Sequence, residues 1–343
     1  MCVKDRHCEC WISLESVGVQ AQGCLKDPSW MNKCVIPSQQ SIFNQLIYID
    51  TSTMKLTCIK NSSHGTFGFI DTALYETQNQ TREVYVKRPI VPGKNLFQEA
   101  CIQKMVGESL ARIGFPTAVP KLVRIFALRD HSVCFAMEPI EHACTLNLYL
   151  ESIPLAQLPI AIIDCLLQLC AMMWHLNCIM GMNHRDLKPS NLLVVAHDTP
   201  VKKILTVENE IIELSSNCSL TLIDFGFSCL GSVTTHHCNL SLSTVYEKGD
   251  PCPKEGRDLY LFVANLYIDY YSKLPAKLIA LFESWLDVPG SNLCTFMRKD
   301  KENSKNWLYF IAGNKQIIKF NSCPIRILKD LQNFLEKSSQ KNE

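Results

Sequence analysis

The sequence predicts an α+β chain in which a sheet-rich first part precedes a helix-rich second part. Three observations predict it. From Lys55 the chain runs in short β-branched or aromatic stretches separated by polar or glycine-containing turns, the signature of an antiparallel sheet. One helix-like run interrupts them at 95–113. Beyond Glu138 long apolar runs of helical length dominate. With 343 residues, 47% of them hydrophobic, the chain can bury the core of one large or two modest domains.

Residues 1–50 show no sustained periodicity. Gly23, Pro28, Pro37 and the polar run 38–41 break their apolar stretches, so they form an N-terminal extension. Strands follow at 56–59, 69–74 and 84–86. The helix at 95–113 places Phe97, Cys101, Met105 and Glu108 on one side and ends at Gly114, before Pro116. Strands at 123–128 and 133–137 complete a first domain over 51–138. The second, 139–338, is expected to hold an apolar helix at 159–180 and buried strands at 192–195 and 221–223 flanking an insertion near 196–219. Helices at 259–271 and 325–335 follow, then a short polar tail at 339–343. A junction of two such parts is a natural place for a ligand.

Composition narrows the partners. Lys plus Arg number 34 and Asp plus Glu 33, a formal charge of +1, so there is no overall field for nucleic acid or an anionic membrane. The most apolar stretch, 155–182, carries Gln157, Asp164, Gln168, His175 and Asn177, which favours a buried helix over a membrane span. The 18 cysteines are scattered from Cys2 to Cys323 in a long chain that opens on Lys4, Asp5 and Arg6. That pattern suits a reducing intracellular compartment, with Cys165, Cys170 and Cys178 as small core residues of the apolar helix.

The chemistry concentrates in His184-Arg185-Asp186-Leu187-Lys188-Pro189-Ser190-Asn191, between the long apolar helix and a buried strand. A carboxylate, an ammonium and a carboxamide within six residues can bind a hydroxyl, a phosphate and a metal together. Downstream, Asp224-Phe225-Gly226 follows the apolar run 220–223. Upstream, residues 63–70 (SHGTFGFI) lie between two expected strands and offer backbone amides for phosphate. Val84-Tyr85-Val86-Lys87 places a lysine on a strand, twelve residues before Glu99 on the following helix.

In this order and context the motifs resemble those of eukaryotic-type protein kinases, over about residues 55–335. The resemblance implies a bilobal kinase-like fold, with an antiparallel N-lobe and a mainly helical C-lobe. It further implies an ATP- and Mg²⁺-dependent serine/threonine protein kinase. Asp186 would accept the hydroxyl proton, Lys188 would neutralise the transferring phosphoryl group, and Asn191 and Asp224 would hold magnesium. Lys87 would orient the α and β phosphates with Glu99 as its ion-pair partner, Glu108 being the fallback. Ser63, Gly65 and Gly68 would cover the phosphates, Ser63 standing where the family has its first glycine. Ile70 and Leu193 would sandwich the adenine, Met137 would back the pocket, and backbone groups of Glu138 and Ile140 would meet the adenine edge.

Other features depart from the family. Tyr85 occupies a usually small position, 33 positions separate Asn191 from Asp224, and no Ala-Pro-Glu precedes Gly256-Arg257-Asp258. Asp258 resembles the helix-starting aspartate that braces the catalytic loop. Thr244, in Ser243-Thr244-Val245-Tyr246, would lie near Asp186. Arg185 would be able to bind a phosphate on Ser228, Ser232, Thr234, Thr235 or Ser241. The abbreviated arrangement resembles divergent kinases of large DNA viruses. Two alternatives stand beside an active protein kinase: a pseudokinase scaffold, and a small-molecule phosphotransferase of related fold. Two Cys/His groups (His7, Cys8, Cys10 with Cys24 or Cys34; and Cys229, His236, His237, Cys238, Cys252) lack paired Cys-x2-Cys knuckles, so free thiols and solvated histidines are expected over zinc.

Overall fold

Val84 and Val86 point into one apolar cluster while Tyr85 and Lys87 point to the opposite face, and this two-residue alternation organises the first of two compact units. The computed structural model describes residues 41–42, 45–50, 53–64, 68–128, 130–207, 210–287 and 292–339. The N-terminal Cys/His group and Gly65 lie outside them. One unit comprises the described residues up to Ser109 together with Val119–Glu141; the other comprises Leu110–Ala118 and the residues from His142 onward.

The first unit is an antiparallel sheet with one helix. Its strands are β1 (Ser41–Ile42), β2 (Gln45–Asp50), β3 (Met54–His64), β4 (Gly68–Thr77) and β5 (Thr81–Pro89), then, after helix α1 (Phe97–Arg112), β6 (Leu122–Ala127) and β7 (Val133–Met137). They are ordered β1-β2-β3-β4-β5-β7-β6. The sheet therefore takes in residues 41–42 and 45–50, which the sequence assigned to an extension. Leu56, Ala73, Val84, Val86, Phe126 and Ala136 fill one face. On the other, Ile70, Tyr85, Phe135 and Met137 pack with Ala100 of α1.

Helix α1 opens where the Asn95 carboxamide accepts the Phe97 amide at 2.8 Å. It runs into Gly114, whose φ of 92° suits glycine. Its inward face differs from the expected one. Ala100, Ile102, Val106 and Leu110 are buried, whereas Cys101 and Met105 are half-buried and Glu108 is exposed. Four-residue spacing from Phe97 pointed to Cys101 and Met105; the packing instead follows the stripe that also buries Glu99.

The second unit is mainly helical. It begins with β8 (Cys144–Thr145), α2 (Leu146–Ser152) and α3 (Leu158–Trp174), which continues as a π turn, His175–Ile179. The run Leu158–Ile179 is long and apolar enough to cross a membrane, yet most of α3 is buried against this unit, with Cys165 and Cys170 in the core. Gln168 Nε2 donates there to Ser216 Oγ at 2.7 Å and to the Cys218 carbonyl at 3.1 Å.

Then come β9 (Met182–Asn183), a 3-10 turn at Pro189–Asn191, and the long hairpin β10 (Leu192–Val207) and β11 (Glu210–Leu222), which fills the interval between Asn191 and Asp224. β12 (Cys229–Gly231) pairs with both β13 (Cys238–Ser241) and β9. The helices α4 (Arg257–Tyr270), α5 (Ala276–Leu286), α6 (Leu293–Lys299), α7 (Lys301–Gly313) and α8 (Pro324–Ser339) complete it. The α+β class read from the sequence is thus observed, with sheet and helices segregated as expected.

Candidate active site

In the sheet unit, β4 and β5 pair so that Ile70 stands opposite Lys87, and Lys87 opposite Phe135 of β7. Lys87 is only 6% exposed, so its ammonium needs a partner. Glu99, in the first turn of α1, supplies it at 2.5 Å. Glu108, the fallback, pairs instead with Lys104 on the helix surface at 3.7 Å. Gly68 lies against this lysine: a Cβ there would stand 2.9 Å from the Arg88 carbonyl oxygen and 3.2 Å from Lys87 Cε. Ser63 lies on β3 opposite Ile70. Met137 ends β7 nearly buried, and the Glu138 amide donates to the Lys121 carbonyl at 2.8 Å. Ile140 is half-buried just beyond. Tyr85 turns into the cluster of Phe135 and Met137.

In the helical unit the loop 184–191 hangs on one carboxylate. Gly256, at φ 80° and with no room for a Cβ against Ser322 and Cys323, starts α4 and delivers Asp258 into its first turn. Asp258 is fully buried. Its Oδ1 accepts the Arg185 amide at 2.7 Å. Its Oδ2 accepts the His184 amide at 3.1 Å, Asn183 Nδ2 at 3.0 Å and Asn177 Nδ2 at 3.3 Å. Arg185 adopts a left-handed backbone, φ 66°, inside this clasp. His184 Nε2 meets the Ile223 carbonyl at 3.1 Å, tying the loop to the strand that leads into Asp224.

The reactive groups converge on Asp186. Lys188 Nζ donates to both carboxylate oxygens, at 3.0 and 2.9 Å. Asn191 Nδ2 donates to the Asp186 carbonyl and to Oδ2, each at 2.8 Å. With Nδ2 so fixed, the Asn191 carboxamide presents its oxygen as a ligand. Its backbone carbonyl accepts the Ile223 amide at 3.1 Å, which brings Asp224, itself at φ 65°, alongside. Two hard oxygen donors on adjacent chain segments fit magnesium. Leu193 faces away from the buried pair Leu192 and Val194.

Arg185 is buried, with Nη2 on Asp250 at 2.7 Å and Nη1 on the exposed hydroxyl of Ser241, one of the five hydroxyls named for it, at 2.7 Å. Asp250 also receives Lys254 and Arg257, each at 2.7 Å, so three buried cations share one carboxylate. Burial pulls Lys254 down to about 8 and lowers Arg257 as well. Thr244 is exposed, and the hydroxyl that meets Asp186 Oδ1 is the phenol of Tyr309 on α7. Tyr246, two residues after Thr244, is buried and donates to the Arg185 carbonyl at 2.8 Å, its ring under the Arg185 guanidinium.

The second Cys/His group is partly assembled. Cys229 and Cys252 form a disulfide, and the Cys238 sulfur lies within 4.8 Å of both, which corrects the expectation of thiols throughout. His236 Nδ1 meets the Pro253 carbonyl at 2.7 Å, and His237 is exposed; neither joins the sulfurs.

Tyr309, Asp250 and Lys254 were missed in the sequence. Tyr309 stands 123 positions from Asp186 in a region without motifs, and no local signal marks it.

The sequence matches no protein-family model and no curated protein. Among solved structures, the backbone is similar to the BubR1 kinase domain (13% identity, TM-score 0.48, covering 88% of this chain and 98% of that one). It is also similar to the PF14_0431 kinase domain (14% identity, TM-score 0.37, covering 80% and 94%).

Proposed function

We propose that the chain is a serine/threonine protein kinase that transfers the γ-phosphoryl group of ATP. One observation carries the reading: an almost fully buried Asp186 carboxylate, clasped by Lys188 and Asn191 on a loop whose backbone is fixed by Asp258. Such a carboxylate is oriented before any substrate arrives, which is the condition for positioning a hydroxyl and accepting its proton. Lys188, with its ammonium against Asp186, neutralises charge on the transferring group.

Asn191 and Asp224 would hold Mg²⁺, which when bound neutralises phosphate charge. Lys87, fixed by Glu99, orients the α and β phosphates. Gly68 leaves the space beside Lys87 clear of side chain. Within the sheet unit, Ile70, Met137 and backbone groups of Glu138 and Ile140 would receive the adenine. Lysine two residues after Asp186 favours serine or threonine acceptors on protein substrates, and the near-zero net charge speaks against nucleic acid or a membrane surface as partner. The scattered free cysteines favour an intracellular setting, with the Cys229–Cys252 pair as the exception.

The test is transfer of labelled phosphate from γ-labelled ATP to mixed protein acceptors by the wild-type chain and by Asp186→Asn. Transfer by the wild type that falls at least about 100-fold in the variant supports the reading. Equal transfer, or none by either, overturns it, and phosphorylation of a small metabolite alone would reassign the acceptor.

A further inference from the structure

Asp186 offers two carboxylate oxygens, and both are engaged. Oδ2 receives Lys188 and Asn191, and Oδ1 receives Lys188 and the Tyr309 hydroxyl. The Lys188 and Asn191 contacts come from the loop itself. The Tyr309 contact comes from α7, which no motif connects to the site. A hydroxyl donating its proton to this carboxylate is the arrangement an acceptor needs at the start of transfer.

The position of Tyr309 is built in by its surroundings. Leu308 and Ala312, on either side of it in α7, are fully buried, and the Tyr309 ring lies 6.4 Å from that of Phe227, just after the Asp-Phe-Gly. The C-terminal end of α7 is pinned by Lys254, whose ammonium donates to the Ala312 carbonyl at 3.2 Å and the Asn314 carbonyl at 2.8 Å. The same ammonium pairs with Asp250, which pairs with Arg185, the neighbour of Asp186. One buried chain of charges thus ties the end of α7 to the loop that it covers.

We propose, resting on the kinase reading, that Tyr309 is an intramolecular occupant of the acceptor position at Asp186, a pseudosubstrate phenol that an incoming serine or threonine hydroxyl must displace. Because Oδ1 carries the phenol, the acceptor competes with it and the free chain is held below its full affinity for protein substrates. Movement of α7 away from the loop would release that brake.

The test uses Tyr309→Phe, which keeps the ring and its packing and removes the hydroxyl. With dephosphorylated casein as acceptor and ATP saturating, the variant is expected to show a KM for casein at least about threefold below wild type with kcat little changed, as for loss of a competing occupant. An unchanged or raised KM overturns the proposal. A second readout does not depend on turnover. In chains carrying ¹³Cζ-tyrosine, the resonance lost in Tyr309→Phe belongs to Tyr309. Asp186→Asn is expected to move that resonance at neutral pH, because the carboxylate that accepts the phenol's hydrogen bond is replaced by a neutral carboxamide. An unchanged resonance places the phenol away from Asp186 and overturns the proposal. A moved resonance together with no phosphate transfer by wild type or Tyr309→Phe overturns the kinase reading instead, and leaves Tyr309 a structural tyrosine.

Discussion

The Asp258 carboxylate accepts the backbone amide of Arg185 at 2.7 Å and so holds a left-handed residue, φ 66°, immediately before Asp186. The adjacent His184 amide ends on the same buried carboxylate. A strained conformation persists only where its surroundings over-determine it, and here Asp258 holds the amides while Tyr246 holds the Arg185 carbonyl. Asp258→Ala leaves two backbone and two side-chain donors without their acceptor and is expected to cost about 3–5 kcal/mol, read from urea unfolding. Asp258→Asn keeps one acceptor oxygen and should cost about 1–3 kcal/mol, with a larger fractional loss of phosphate transfer than of folded protein.

The Lys87 and Glu99 pair makes a second prediction, within the sheet unit. Glu99→Gln retains volume and hydrogen bonding but removes the charge that fixes a buried ammonium. Transfer from ATP should fall about 10-fold or more, and Lys87→Met should abolish it, with both chains still folded by circular dichroism. Full activity of Lys87→Met would show that the phosphates are oriented by another group.

Asp250 is the only carboxylate that the three buried cations Arg185, Lys254 and Arg257 share among the described residues. Asp250→Asn leaves them uncompensated, and loss of one partner from a buried ionic network costs about 3–5 kcal/mol. Asp250→Asn should therefore unfold at markedly lower urea concentration than wild type. A midpoint within error of wild type would mean that solvent reaches these groups.

His175 gives the chain a pH dependence of stability. Burial, with a smaller contribution from Arg112, lowers its pKa from 6.5 to about 4. The folded state therefore resists the proton that the unfolded state takes up, and stability is full above pH 6.5 and lost as pH falls toward 4. The loss attributable to this group approaches about 3 kcal/mol. Urea unfolding of wild type and His175→Gln at pH 7.5 and pH 4.5 measures it, and the variant should show the smaller drop between the two.

Local pattern carried a large part of the molecule. The β-forming residues at 84–86 gave a strand, Gly114 before Pro116 gave the end of α1, and the run from His184 to Asn191 named the residues that now surround one carboxylate. These were legible because each depends on spacing within a few residues. Pairings that depend on side-chain direction were less legible. The inward face of α1 was misassigned because Phe97 is only one of several apolar residues around that helix, and packing on the sheet decided which stripe turned inward. The carboxylate that Arg185 meets is not legible locally, because Asp250 is 65 positions away.

What the sequence determined by itself was the α+β class, with a sheet-rich part before a helix-rich one, and the loop that carries Asp186, Lys188 and Asn191. What only the tertiary structure decided was which of those groups are engaged. Asp186 is met by a phenol 123 residues downstream and Arg185 by an internal carboxylate. Contacts at such separation are set by how helices pack over a core, and no local periodicity encodes them.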